Sequence, residues 1–118
     1  MHEVSLVRNI FRTLETEFSE AERRHIMTIN LKIGLLSNVE PVLLQNAFEA
    51  VIATENPEYQ RTKLNTEIIP IEIYCAECNQ RTRVENYRFV CHCGKPNNNI
   101  VQGMELLISG VEFEMDNI

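Results

Sequence analysis

Two close cysteine pairs constrain this chain more than any other feature: Cys75-Ala76-Glu77-Cys78 and, twelve residues further on, Cys91-His92-Cys93-Gly94. Two thiolate pairs across a hairpin-length loop supply the four ligands of a tetrahedral Zn(II) site. Gly94 fits the tight turn behind such a metal, where φ is often positive. Tyr87, Phe89 and Val90 are placed to cover one side of the knuckle. A segment this small buries too little surface to fold without its metal. The start of the chain carries Glu3 and Arg8 within its apolar pattern, unlike a secretory signal. The cysteines therefore read as metal ligands and not as disulfides. A redox dithiol fits poorly, because no strand-to-helix context follows Cys75-x-x-Cys78.

The intervening loop holds Arg81, Arg83 and Arg88, which invites a nucleic-acid reading. Lys95 adds a fourth positive charge, but Glu77 and Glu85 oppose them, and four thiolates around one Zn(II) contribute about −2 more. The module is then nearly neutral, and the whole chain carries a net charge of −6. No nucleic-acid partner is expected. No apolar run approaches the length of a membrane span. With no targeting segment, the expected location is cytoplasmic. The 118 residues suffice for one small domain with a modest core.

Taken in order, the chain begins with a helical pattern from Glu3 to about Arg24. Val4, Val7, Phe11, Leu14 and Phe18 form one stripe, with Ile10 beside it. The charge-rich Ser19 to Arg24 reads as a solvated last turn. His25 to Leu35 alternates as a half-buried strand, with Met27, Ile29, Leu31 and Ile33 on one face and Gly34 closing it. His25 reads as a structural surface residue. Pro41 suits the first position of a second helix, with Leu44, Ala47, Phe48 and Val51 on its buried face to about Thr54. Glu40 falls at that helix's positive end, most simply as a cap. After a polar connection, a strand is predicted from about Leu64 to Tyr74, irregular near Pro70. A third is predicted from Ile100 to Met115, slipping phase at Ser109-Gly110. The predicted fold class is α+β: two helices packed on a three-stranded sheet, with an inserted zinc-ribbon-like module.

The first three residues, Met1-His2-Glu3, offer a second kind of metal site. With Met1 retained, the α-amine, the His2 amide nitrogen and imidazole Nδ1 close fused five- and six-membered chelate rings. Three such nitrogens lie nearly in a plane and suit Ni(II) or Cu(II). The bulky His2 disfavours removal of Met1. A fourth corner stays open for Glu3 or a partner's ligand, so the metal remains able to leave. Read alone, such a start is most simply an idle chain end.

Together these pieces make the chain resemble the HypA/HybF family of hydrogenase nickel-incorporation proteins over essentially its whole length. The matching residues are Met1-His2-Glu3, the run Ile29-Asn30-Leu31-Lys32-Ile33-Gly34, Val39-Glu40-Pro41 with Ala47-Phe48-Glu49, the paired cysteines and the closing Ile100 to Glu114 segment. The resemblance implies a nickel metallochaperone. Residues 1–72 and 99–118 would form a nickel-binding domain, and residues 73–98 an inserted zinc module. It implies nickel as transient cargo at Met1, His2 and Glu3, and structural zinc at Cys75, Cys78, Cys91 and Cys93. It further implies work with the GTPase HypB and delivery to the hydrogenase large subunit, some relatives also serving urease maturation. One departure stands out. The family's second pair is usually Cys-x-x-Cys before Gly, whereas here it is Cys91-His92-Cys93-Gly94. The bite differs, and the usual amides around sulfur are expected to be lost. His92 becomes a substitute ligand to consider, and Glu40 a further nickel candidate.

A different class of function, a zinc-ribbon adaptor with no labile metal, shares the cysteine module but needs nothing from the chain start. A hydrolase has little support: there is no His-x-x-x-His pair, no Cys-His nucleophile pattern and no Gly-rich phosphate loop. The chain reads as a non-enzyme.

Overall fold

The structure is a computed structural model that describes residues 2–114. The first helix, α1, spans His2–Glu17 and buries Val7, Ile10, Phe11 and Leu14, while Val4 and Phe18 are half-buried. It stops short of Arg24 because Ser19 turns to extended backbone, with φ −69° and ψ 163°. Ser19 then caps a separate turn, α2 (Glu20–Arg23). The Glu22 amide donates to Ser19 Oγ at 3.2 Å, and the Ser19 amide donates to the Glu22 carboxylate at 2.8 Å. The charge-rich segment is thus its own capped, solvated turn.

Strand β1 runs Ile26–Gly34 with Ile29, Leu31 and Ile33 buried, as its alternation requires. Helix α3 (Pro41–Thr54) starts with Pro41 in its first turn and buries the four expected residues plus Ile52. The polar connection after it holds one 3-10 turn, Pro57–Tyr59, which buries Tyr59. There the Phe11 ring packs on Tyr59 at a centroid distance of 4.6 Å and stacks on Phe48 at 5.6 Å. Such aromatic pairs add about 0.5–1.5 kcal/mol each beyond the area they bury.

Both long strands expected from periodicity are broken in two. The Leu64 to Tyr74 segment gives β2 (Lys63–Ile69) and β3 (Glu72–Cys75), which belong to different sheets. The break falls at Pro70, which has no amide to give to a ladder and whose carbonyl accepts from Gln102 Nε2 at 2.9 Å. The irregularity expected there is a change of sheet. A short strand not anticipated in the cysteine segment, β4 (Gln80–Arg83), follows. The last segment gives β5 (Ile100–Gln102) and β6 (Leu106–Phe113), parted at Gly103 with φ +114° and not at Ser109-Gly110. Through Ser109-Gly110 the strand continues and only the burial slips, Gly110 and Val111 both being half-buried. Met115 lies outside the described residues.

The strands form two three-stranded sheets, ordered β2-β1-β6 and β4-β3-β5. The α+β class with a three-stranded sheet and a separate cysteine-bearing module is as predicted; that the module has a three-stranded sheet of its own is not. The chain divides into two compact units. The first comprises Met1–Leu31, Val39–Thr66 and Ile108–Ile118. Within it Thr62 Oγ1 donates to the Ile26 carbonyl at 2.9 Å, and the Glu114 amide donates to the His25 carbonyl at 2.6 Å. The second comprises Lys32–Asn38 and Glu67–Leu107. Within it the Leu35 amide donates to the Ile69 carbonyl at 2.9 Å and the Gly34 amide to the Glu105 carbonyl at 2.6 Å. β1 and β2 therefore start together and end together, running parallel with α3 as their crossover. β6 runs antiparallel to β1. Both helices run opposite to the strands they lead into. The N-terminal ends of α1 and α3, with His2 and Glu40, thus share one end of the first unit.

Gly34 closes β1 against the backbone of Gly103: a Cβ at Gly34 would land on the Gly103 carbonyl and 2.7 Å from the Met104 amide nitrogen. Gly34→Ala should therefore destabilise the protein by about 1–3 kcal/mol, since main chain has to move. Gly110, with nothing within 4 Å of its added Cβ, should accept alanine without loss. Urea unfolding of the two variants distinguishes these outcomes.

Candidate metal centre

The first cysteine pair closes a hairpin. β3 and β4 pair antiparallel with Cys75 opposite Gln80, so Cys78 lies in the turn between them. Asn79 adopts φ +54° there, a conformation asparagine tolerates. The second pair lies in a tighter turn. The Gly94 amide donates to the Cys91 carbonyl at 2.8 Å, the Cys91 amide donates to the Lys95 carbonyl at 3.0 Å, and Gly94 has φ +88° as the turn demands. Val90 bridges Pro96 beside it. The Lys95 ammonium pairs with the Glu77 carboxylate and ties the two turns together.

All four sulfurs fall within 4.8 Å of one another. A tetrahedral ion with metal–sulfur bonds of about 2.3 Å sets its sulfurs about 3.8 Å apart, so the cluster fits such an ion after sub-ångström adjustment. Among the described residues these are the one group of three or more His, Cys, Asp or Glu side chains placed to hold a metal. Cys75 and Cys91 are buried, Cys78 is half-buried and Cys93 is exposed. His92 is exposed and stands outside the group, so four ligands converge without it.

The Cys93 amide, helped by the Cys78 thiol, holds Cys91 down at about 6. Cys78, whose sulfur lies 3.1 Å from that of Cys91, is pushed up to about 12 by donating to it, with Cys75 adding to the shift. Clustered thiols cannot all ionise unaided, and a bound cation removes that restriction.

Behind the sulfurs stand Ile71, Ile73 and Val84, fully or nearly buried, with Leu36, Phe89 and Ile100 packed on them. Phe89 covers the module as expected, whereas Tyr87 is exposed. Arg81 is engaged with Glu72 at 2.9 Å, and Arg83 lies 3.8 Å from Glu85. Two of the loop's three arginines thus have a carboxylate beside them.

The remaining candidates lie at chain and helix starts. His2 opens α1 and is exposed, and Glu3 is half-buried in the first turn. Met1 lies outside the described residues. Glu40 occupies the N-cap of α3, is exposed, and makes no side-chain capping bond. Its carboxylate is thus not consumed by the simple cap that the sequence favours. His25 is exposed, its Nδ1 3.7 Å from Glu114 Oε2, in keeping with a surface role. The sequence leaves the sheet antiparallel or mixed and Glu40's role dependent on the second helix opening beside the first; the parallel crossover decides it, and two strands joined by one helix is the signal that carries it.

Cys75→Ser or Cys91→Ser should lose most bound Zn(II) or Co(II), since each removes a buried sulfur from the cluster. His92→Ala should keep it. Cobalt charge-transfer absorption reads all three, and a metal loss in His92→Ala would put the imidazole into the ligand set. Among the described residues the buried Thr82 hydroxyl has no hydrogen-bond partner. Thr82→Val should therefore cost little stability or none.

The family model for "Hydrogenase/urease nickel incorporation, metallochaperone, hypA" matches residues 1–113. A hydrogenase maturation factor HypA from Aquifex aeolicus is 30% identical over 117 residues, covering 98% of this chain and 100% of that one. Those from Desulfitobacterium hafniense and Chloroflexus aggregans are 32% and 33% identical, covering 97% and 95% of this chain and 99% and 98% of theirs. Two solved structures share the fold. The solution structure of a HypA protein has a TM-score of 0.70 at 24% identity, covering 96% of each chain. That of the Ni metallochaperone HypA from Helicobacter pylori has 0.66 at 22% identity, covering 97% of this chain and 98% of that one. On sequence, across nearly its full length, the chain belongs to the HypA family of nickel-incorporation metallochaperones.

Proposed function

We propose that this protein carries Ni(II) at its amino-terminal end for maturation of [NiFe]-hydrogenase, while the four-cysteine site holds a structural Zn(II). The observation that carries the reading is the family match over residues 1–113, which includes the Met1-His2-Glu3 start. The functional division follows: residues 1–72 and 99–118 serve nickel, and residues 73–98 serve zinc. The protein is a carrier and not a catalyst. It works in the cytoplasm with the GTPase HypB and the hydrogenase large subunit, and on the family's description urease maturation is a second destination.

The local chemistry supports the nickel assignment to Met1, His2 and Glu3. α1 begins at His2, so the His2 amide belongs to the first turn, whose N–H groups have no partner within the helix. Binding nickel through that amide costs the helix no hydrogen bond. The partial positive charge of a helix start opposes a cation but favours carboxylates and a deprotonated amide. Glu3 lies in that turn, and Glu40 at the parallel helix start beside it. Glu3 is the nearer candidate for the open coordination position, and Glu40 acts as counter-charge or hydrogen-bond partner of the bound imidazole. Nitrogen and carboxylate ligands suit Ni(II), and four thiolates suit Zn(II), so each metal has its own chemistry.

Binding through the α-amine and amide displaces protons, so nickel affinity should rise with pH through neutrality. Titration of tag-free protein should show about one Ni(II) per chain, abolished in His2→Ala with zinc retained. Adding one residue before Met1 moves the amine out of the chelate ring. It should cripple a planar site and spare an octahedral one built from imidazole, carboxylate and water. His2→Ala protein that titrates like wild type removes the site.

Glu40→Gln should weaken nickel binding less than Glu3→Gln, about tenfold or below. An effect of Glu40→Gln larger than that of Glu3→Gln would move Glu40 into direct coordination.

A further inference from the structure

β2 is an edge of the first sheet, and among the described residues no strand receives the alternate amides and carbonyls that face outward along it. Beside it, between β2 and α3, runs a groove of about 490 Å³ whose apolar floor includes Phe48, Ile52 and Leu64. On β2, Lys63, Asn65 and Glu67 share the face opposite the buried Leu64. Asn65 is satisfied by Asn30 of β1, at 3.0 Å. Neither Lys63 nor Glu67 has an ion pair among the described residues, although most charged side chains around the cysteine site do. Ile68, on the other face, is 45% exposed.

These residues form a palindrome of chemistry. When an antiparallel copy of β2 is laid along its own edge with Asn65 opposite Asn65, Lys63 stands opposite Glu67 on both sides of the twofold. On the groove side the same register sets Leu64 opposite Thr66 and brings Ile68 opposite Thr62. We propose that β2 is a self-pairing edge: two copies of this chain join β2 to β2 antiparallel about Asn65, making one six-stranded sheet. The partner strand then takes up the free backbone groups, closes two Lys63–Glu67 pairs, and covers Ile68 and the mouth of the groove. An isologous contact needs one patch complementary to itself, and this strand is. A strand with charges merely blunting its edge has no need of opposite signs placed symmetrically about a centre. One strand and one groove per chain make a small interface, so the dimer forms in a concentration-dependent way.

Sedimentation equilibrium of the full, zinc-loaded chain tests this. Wild type should dimerise. Lys63→Glu and Glu67→Lys each turn two attractive pairs into repulsive ones and should weaken the dimer about tenfold or more. Both are exposed and should leave circular dichroism and zinc content unchanged. The double variant Lys63→Glu/Glu67→Lys restores opposite signs in the same register and should dimerise again. So should an equimolar mixture of the two single variants, as a heterodimer. A wild type that stays monomeric, single variants that dimerise like wild type, or a double variant that fails to recover would each overturn the proposal. The first of these would leave Lys63 and Glu67 as edge protection, with the groove open to a peptide of another protein.

Discussion

In the second unit, the turns and short strands around the cysteines answer the need to bring four sulfurs to one point. The unit's apolar core is small: Ile33, and the cluster of Ile71, Ile73 and Val84 with three partly buried neighbours. That much burial is too little to hold two turns, three short strands and a long loop in place. A metal held by the sulfurs would supply the difference, because an ion that binds the folded arrangement and not the open chain contributes its binding free energy to folding. Local structure follows from this demand. Gly94 takes positive φ so that the chain can reverse behind Cys93, and Asn79 does the same behind Cys78.

The first unit rests on a different constraint, the parallel pairing of β1 and β2. Parallel neighbours require a crossover, α3 supplies it, and α1 packs alongside in the same direction. Two helix starts then sit at one end, each with partial positive charge and unpaired amides. An isolated cation is unwelcome there; under the proposed assignment, a chelating amine, amide and imidazole, with the carboxylates of Glu3 and Glu40, would make the place one that accepts a metal and releases it. The proposed zinc and nickel assignments divide along the same line: a closed set of soft thiolates suited to retaining an ion, and an open set of nitrogens suited to releasing one.

Much of this was legible in the residues. The alternation of Met27 to Ile33, the Pro41 helix start and the stripe through Val7, Phe11 and Leu14 each report a local periodicity, and each appears where its period puts it. The cysteine spacing announced its cluster for the same reason, since ligand geometry is local. What the pattern hid was which strand pairs with which. A run such as Leu64 to Tyr74 looks the same whether it serves one sheet or two, and only Pro70 hinted at the change. Ser109-Gly110 looked like a break because burial slips there, while the true break at Gly103 depends on the Gly34 backbone pressing close, a contact between distant residues. The direction of α3 relative to α1, and hence the place of Glu40, is likewise a property of strand order and invisible to periodicity.

X-ray absorption at the nickel and zinc edges of one tag-free sample, loaded with one equivalent of each metal, tests the division of labour most directly. The zinc edge should show sulfur scattering at about 2.3 Å. The nickel edge should show only nitrogen and oxygen neighbours, with the outer-shell pattern of a single imidazole. Sulfur in the nickel shell, or zinc without sulfur, would contradict the assignment of the two metals to two chemically separate sites.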